Sequence, residues 1–210
     1  MLDISQPMSK GQLVTAAREY ARAWLSRERH FVEDLASDDR ARRLLAIQAA
    51  GGYFKISRSF ALQFDVQRGL PRLAPALDAL ERVAPVTLEE DALPSTVDTL
   101  RRELGRPYGG KDLLSAATKF LWLRHRDTVI IHDSQVRSAL GARSGDYSNY
   151  LALWRAEYTK TRAQILATCD AVARDGSAEV RSIATQEWFR RRVLDIHLWR
   201  VGAPSARISN

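Results

Sequence analysis

Apolar residues recur at three- and four-residue steps along almost the whole chain, and this period constrains the fold more than any other feature. Between Gln12 and Leu25 the apolar side chains fall on one face of a helix, and the spacing returns through Leu35–Phe64. Further helices are predicted at about 75–83, 95–104, 113–122, 133–140, 147–174 and 186–199. Val129–Ile131 is the one β-like run, and it is too short to support a sheet. The sequence therefore predicts an all-α fold of about nine or ten helices.

Glycine and proline mark the predicted ends of these helices. Gly51-Gly52 is expected to divide the 35–64 pattern into two helices, and Gly69–Pro71 to end it. The prolines and acidic residues of Pro85–Pro94 predict a loop. Ser95, with Asp98 three positions later, predicts the start of the next helix.

The 210 residues suit one large or two small domains. The predicted organisation is an N-terminal helical part at 1–92, a second part at 93–202 and a disordered tail at 203–210. Cys169 is the single cysteine and is expected to pack in a core, which excludes an internal disulfide and a cysteine-based zinc site. No window approaches 18 apolar residues and no charged-then-apolar leader opens the chain, so we expect a cytoplasmic, non-membrane monomer.

The charge balance favours a polyanionic partner. The chain has 32 Lys and Arg against 25 Asp and Glu, a formal net charge of +7. Only five of the 32 basic residues are lysines. An arginine-rich genome would produce the same charge, so charge is compatible with DNA binding without establishing it.

The most informative stretch runs from Gly105 to Leu140. Two predicted helices joined by the glycine-rich turn Arg106–Lys111 form a helix-hairpin-helix. The backbone N–H groups of such a turn, with the following helix N-terminus, suit one DNA phosphate. The candidate DNA-binding residues are Arg106, Gly109, Gly110 and Lys111. The alternative is a plain turn between packed helices.

The residues after this turn carry a resemblance. Ser115–Leu121 leads through Arg126-Asp127 to the hydrophobic run and Asp133. This order resembles the helix-hairpin-helix DNA glycosylase superfamily, specifically its 8-oxoguanine DNA glycosylase-like bacterial proteins. The match is strongest over about 25 residues, 115–140, and Trp188–Trp199 is similar to the closing helix of that group.

The resemblance implies a DNA glycosylase that flips out and excises a damaged or modified base from double-stranded DNA. Asp133 matches the aspartate that stabilises the oxocarbenium-like sugar as the N-glycosidic bond breaks. The base is implied to be 8-oxoguanine-like or, as in anti-phage defence, a hypermodified phage base. An aspartate at this position is also a good helix N-cap, and both roles are compatible.

The sequence departs from the pattern of the resembled family at the position of its lysine. The lysine that forms a Schiff base in the bifunctional branch lies 18 residues before the aspartate, where this chain has Ser115. Lys111 and Lys119 lie four residues on either side, so all three are predicted on one helical face. Lys119 is the candidate for a displaced catalytic amine with lyase activity or for a positively charged active-site group, and a surface lysine is the alternative. Without an amine the enzyme would leave an abasic site.

Base flipping also needs aromatic side chains against the base. The candidates for a base pocket are Tyr53, Phe54, Tyr147 and Tyr150. Tyr147 and Tyr150 belong to a helical stripe that core packing would equally explain. Gly52–Ser59 mixes small, aromatic, hydroxyl and basic residues, as a groove edge would, without matching a family motif.

The sequence predicts no metal and no cofactor. The histidines form no metal-ligand spacing, and phosphate-binding and dinucleotide fingerprints are missing. Two other functions stay open: a catalytically inactive DNA-binding module of the same fold, and an interaction protein with no nucleic-acid role. The run Arg190–Arg192 could contact phosphates or pair with acids on its own helix.

Overall fold

The structure is a computed structural model that describes residues 9–60, 72–84 and 90–203. Within these ranges ten α-helices and no strands occur, so the predicted all-α class is confirmed. The helices are α1 Lys10–Ala23, α2 Arg29–Leu35, α3 Arg40–Tyr53, α4 Ala74–Glu81, α5 Leu93–Gly105, α6 Leu114–Arg124, α7 Ser134–Leu140, α8 Tyr147–Asp175, α9 Ala178–Ala184 and α10 Glu187–Gly202. A π-helical stretch at Trp24–Glu28 joins α1 to α2, and 3₁₀ turns occupy Ser57–Ser59 and Arg106–Tyr108.

The predicted break at Gly51-Gly52 is wrong, because α3 continues through both glycines to Tyr53. A glycine in a helix costs up to about 1 kcal/mol relative to alanine. Packing compensates here, since Ala46, Ile47 and Ala50 of the same helix are buried. A side chain at Gly51 would also come within 3.0 Å of the Ser57 hydroxyl, so this glycine allows a close approach.

Two other helix boundaries differ from the predictions. Helix α5 begins at Leu93 rather than Ser95, because Pro94 is accommodated in the first turn, where no N–H is required. The Ser95 hydroxyl donates to the Ala92 carbonyl instead of capping the helix. Helix α9 was not predicted, since its seven residues are too few for a clear period; Ser177 caps it by accepting the Val180 N–H.

Some predictions concern residues outside the described ranges. These are the helix end at Gly69–Pro71, the loop over residues 85–89 and the disordered tail from 204 onward. No helix in the described ranges combines the length and the apolar character that crossing a membrane requires.

The chain divides into two compact units. The first contains Met1–Arg22 and Asp133–Asn210, and the second contains Ala23–His132. This division does not follow the predicted boundary at residues 92 and 93, because the first helix packs with the last one. The Tyr20 ring lies 5.2 Å from the Phe189 ring, a contact between residues far apart in sequence.

The first unit is built around α10, which packs against α7 and α8. Its core combines α1 with the long helix α8 and with α10. Fully buried members include Leu13, Ala17, Ile165, Cys169, Phe189, Val193 and Leu194. Burial raises the pKa of the Cys169 thiol to about 12, which fits the predicted core role.

The second unit is built around α6, which packs against α2 and α5. Every residue from Ala116 to Leu123 is buried, including the polar Thr118 and Lys119. Helix α4 packs against α3 and α5 and contributes Leu77 and Leu80 to the same core.

Candidate functional site

The turn between α5 and α6 is a tight reversal that glycine makes possible. Gly109 and Gly110 have φ values of 81° and 71°, in the left-handed region that favours glycine. The Gly110 N–H donates to the Gly105 carbonyl at 2.9 Å and closes the turn. A Cβ atom at Gly105 would lie 2.5 Å from the Lys111 carbonyl oxygen, so only glycine fits there without displacement.

A groove of about 800 Å³ lies along this turn and the last half of α5. Its charged lining residues are Asp98, Arg101, Arg102, Arg106, Lys111 and Asp112. The Arg101 guanidinium forms a bidentate pair with Asp112, with both N–O distances 2.6 Å. Arg102, Arg106 and Lys111 are exposed and have no ion pair with a described residue. The groove therefore has an excess of positive charge beside a glycine turn.

The backbone of this turn offers fewer donors than the sequence predicts. The Gly110 N–H is used inside the turn, and the Leu114 N–H donates to the Asp112 carboxylate at 3.1 Å. An anion at the turn would therefore be met mainly by the cationic side chains of the groove. Charged donors form the stronger hydrogen bonds to phosphate oxygens.

The sequence predicts that Lys111, Ser115 and Lys119 share one helical face, and this prediction is wrong for Lys111. Helix α6 begins at Leu114, so Lys111 lies in the turn before it, where Asp112 accepts the Leu114 N–H. Ser115 and Lys119 remain one helical turn apart, and Ser115 is half-buried.

Lys119 lies inside the second unit. Its relative exposure is 7%, so the alternative of a surface lysine is wrong. Its Nζ atom lies 6.0 Å from the centre of the Phe54 ring, a cation–π distance. Lysine is rarely buried to this extent, and a buried lysine is normally paired.

Phe54 and Tyr53 stand at the end of α3, where both rings are half-buried. Their ring centres are 5.1 Å apart. The structure therefore brings together Lys119 and two of the four residues predicted for a base pocket. The sequence could not show this, because more than 60 residues separate Phe54 from Lys119.

The segment before Asp133 is tied to α6. The Thr118 hydroxyl accepts the His132 N–H at 3.0 Å and lies within 3.2 Å of the Leu114 and Ser115 carbonyls. Asp133 follows as the N-cap of α7, where its carboxylate accepts the Gln135 N–H at 2.9 Å. The capping role that the sequence predicts for Asp133 is confirmed, and the catalytic role stays a prediction.

Tyr147 and Tyr150 lie in the core of the first unit, at 1% and 0% exposure. Their rings are stacked with centres 6.1 Å apart. This burial agrees with core packing. It leaves neither ring an exposed face on which a base could stack. The Tyr150 hydroxyl forms a hydrogen bond with the Asp133 backbone. Burial raises the pKa of Tyr150 well above its ordinary value, and the nearby Asp195 raises it further.

Asp195 is a polar residue that the sequence did not single out. It is buried, accepts the Trp154 indole N–H at 2.6 Å, and pairs with Arg192 at 3.0 Å. The Arg192 guanidinium in turn lies 5.2 Å from the centre of the Tyr20 ring. Burial raises the pKa of Asp195 although Arg192 and the hydrogen bond from Trp154 lower it. The only sequence signal was an aspartate between apolar residues of α10.

The run Arg190–Arg192 pairs with acids of the first unit rather than forming a uniformly cationic surface. Arg190 and Arg191 lie within 4 Å of Glu187, and Arg192 pairs with Asp195. Among the described residues, no group of three or more His, Cys, Asp or Glu side chains could hold a metal ion.

Comparisons with protein families, with curated proteins and with solved structures found no match to this chain.

Proposed function

We propose that this protein is a DNA glycosylase that excises a damaged or modified base. The observation that carries the proposal is the burial of Lys119 in α6, with its amine against Phe54. This amine lies one helical turn from Ser115, the position where the resembled family has its lysine. An amine placed there, beside a half-buried aromatic ring, supports a role for Lys119 in the chemistry.

The groove beside the α5–α6 turn supports a DNA substrate. Arg102, Arg106 and Lys111 offer three exposed cations for backbone phosphates. Phosphate contacts of this kind hold the duplex in register without reading its sequence. These cations do not recognise the base. The candidates for that role are the half-buried rings of Tyr53 and Phe54.

In the proposed reaction the bond between the base and C1′ of deoxyribose breaks, and the base leaves with the bonding electrons. The Asp133 carboxylate stabilises the positive charge that develops on the sugar. Water then adds to C1′, its proton passes to the departing base, and an abasic site remains. If the neutral Lys119 amine adds to C1′ instead, the C1′–O4′ bond opens, O4′ takes up a proton from the amine, and a Schiff base forms. Loss of a C2′ proton then expels the 3′ phosphate and cuts the strand.

The test is an excision assay on duplexes that contain oxidised, alkylated or phage-type modified bases. We expect Asp133→Asn to slow excision about 100-fold or more, because the charge opposite the developing cation is lost. Asparagine is an equally good N-cap, so the fold should be unaffected. Asp146→Asn is the matched control, since Asp146 caps α8 by accepting the Asn149 N–H at 2.9 Å. Normal excision by Asp133→Asn would contradict the catalytic assignment.

Borohydride in the same assay tests the role of Lys119. A covalent DNA adduct that Lys119→Met loses and Lys111→Met keeps would identify the amine. Excision without an adduct would identify a glycosylase that uses water alone.

A catalytically inactive DNA-binding module is the second candidate, and Ser115 favours it because serine cannot replace the family's lysine in a Schiff base. This candidate predicts salt-dependent duplex binding without an abasic product on any substrate.

A further inference from the structure

The surface around the end of α3 combines aromatic rings with exposed cations. Its aromatic part, here called the aromatic platform, consists of Phe31, Tyr53 and Phe54, and all three side chains are half-buried. The ring centres of Phe31 and Tyr53 lie 5.6 Å apart at an angle of 59°. Tyr53 and Phe54 meet at 67°. Because the rings are steeply tilted, they do not stack face to face with each other.

Cations border this platform. The Arg27 guanidinium lies 5.9 Å from the centre of the Tyr53 ring, and Lys119 reaches Phe54 from the inside of the unit. Lys55 directly follows Phe54, and Arg58 lies in the next turn. Arg27, Lys55 and Arg58 are exposed, and none has an ion pair with a described residue.

The nearest acids on α2 do not neutralise this surface. Glu33 pairs with Arg29 at 3.6 Å, and Asp34 pairs with Arg42 at 2.6 Å. Neither acid of α2 pairs with Arg27, Lys55 or Arg58.

Lys55 is held in an uncommon conformation. Its φ is 56°, and the Lys55 and Ile56 N–H groups donate to the Gly52 and Gly51 carbonyls at 3.1 and 2.9 Å. These bonds form a Schellman motif, where glycine is the usual residue and another residue costs about 1 kcal/mol or more. The chain thus places a cation after the two rings although glycine would be more stable there.

We propose that the aromatic platform and its bordering cations bind unpaired nucleotides of single-stranded DNA. In a duplex the faces of each base are covered by neighbouring bases, whereas an unpaired base can stack on an aromatic side chain. Adjacent cations neutralise the phosphates. The Arg27 guanidinium, 5.9 Å from the centre of the Tyr53 ring, is the cation assigned to the phosphate of a nucleotide on that ring. The inference rests on the proposed function for the choice of DNA, and it adds that the substrate is held in an unpaired form.

The experiment measures binding of the full chain to fluorescent oligothymidine of 12 nucleotides at 50 mM salt by anisotropy. We expect Tyr53→Leu and Phe31→Leu each to weaken binding by about 5- to 100-fold, the range for loss of one stacked base. Arg27→Gln should weaken it several-fold and make the salt dependence shallower by about 0.7 in log–log slope. Arg27 is exposed, so this variant tests the surface without disturbing the core.

Matched controls lie in the first unit. Trp199→Leu removes an aromatic side chain that is 46% exposed, and Arg181→Gln removes an exposed cation. Both should bind oligothymidine as the wild type does. Equal binding by Tyr53→Leu and Trp199→Leu would overturn the proposal, and so would a wild type that does not bind. An equal loss of binding to an unmodified duplex in Tyr53→Leu would also overturn it, since the rings would then not be contacting unpaired bases.

Two further readouts separate the alternatives. Tighter binding of oligouridine than of oligothymidine would assign the surface to RNA and overturn the choice of DNA. Asp133→Asn should bind oligothymidine normally. If Asp133→Asn loses excision but still binds oligothymidine, the catalytic role and the platform are separate properties. If the wild type excises the base but Tyr53→Leu binds oligothymidine normally, only the platform proposal is rejected.

Discussion

Asp195 is an acid in an apolar core, and two neighbouring side chains donate hydrogen bonds that offset the cost of burying it. A buried carboxylate without partners would cost several kcal/mol. Here the Trp154 indole N–H and the Arg192 guanidinium both donate to it. Desolvation nevertheless outweighs these partners, so the pKa of Asp195 in the folded protein is above its ordinary value of 3.8.

This shift predicts a pH dependence of stability. At pH values between 3.8 and the raised pKa, the folded protein binds more protons at Asp195 than the unfolded chain does. The free energy of unfolding therefore falls at this site as the pH rises. Asparagine does not titrate and can still accept the Trp154 N–H. We expect the stability of Asp195→Asn relative to the wild type to increase from pH 4 upward, as measured by urea unfolding at several pH values.

Leu194→Val is the control for this measurement, because it changes the same buried helix without a titrating group. Its curve should be displaced from that of the wild type by a constant amount. A constant offset for Asp195→Asn as well would show that the pKa of Asp195 does not differ between the folded and unfolded states.

At the scale of elements, the α5–α6 turn depends on a glycine that no sequence pattern marks. The adjacent pair Gly109 and Gly110 predicts a turn, whereas Gly105 is the last residue of α5. The closest approach in the turn is nevertheless at Gly105, where the chain returns and places the Lys111 carbonyl against it.

We expect Gly105→Ala to destabilise the protein by about 1–3 kcal/mol, since a Cβ atom 2.5 Å from a backbone oxygen forces the turn to move. Duplex binding should weaken as well, because the turn lines the cationic groove. Gly52→Ala is the matched control: it lies in a helix with no atom within 4 Å of the added Cβ. That variant should be neutral or more stable by up to about 1 kcal/mol. Urea unfolding compares the two, and equal stability would contradict the steric argument.

At the scale of the whole molecule, the net charge of +7 matters less than where unpaired cations lie. Many arginines pair with acids, as Arg40 and Arg43 do with Asp78 and Glu81. The groove cations Arg102, Arg106 and Lys111 have no ion pair with a described residue. A polyanion would therefore meet a local surface rather than a uniformly positive molecule.

These three cations set the expected salt dependence of duplex binding. Neutralising about three phosphates gives a log–log slope of about −2.7, or roughly a 40-fold loss of affinity from 50 to 200 mM salt. Arg106→Gln should make the slope shallower by about 0.9. Arg181→Gln, an exposed cation of the first unit, should leave it unchanged. A salt titration by anisotropy measures both, and an unchanged slope in Arg106→Gln would remove the groove from the interface.

The sequence by itself predicted what depends on neighbours in the chain. Helical period, the glycine turn and the cap at Asp133 are local properties, because a helix and its ends are satisfied by residues within four positions. The same locality explains the error at Gly51-Gly52, where propensity predicted a break that packing of α3 prevents.

Only the tertiary structure decided which polar residues are inside. The burial of Lys119 depends on α6 being enclosed by helices from other parts of the chain, and its contact with Phe54 joins distant segments. Asp195 and Gly105 likewise owe their roles to residues that no local pattern places beside them. Burial is a property of packed surfaces, and a helical period indicates which face is apolar but not what will cover it.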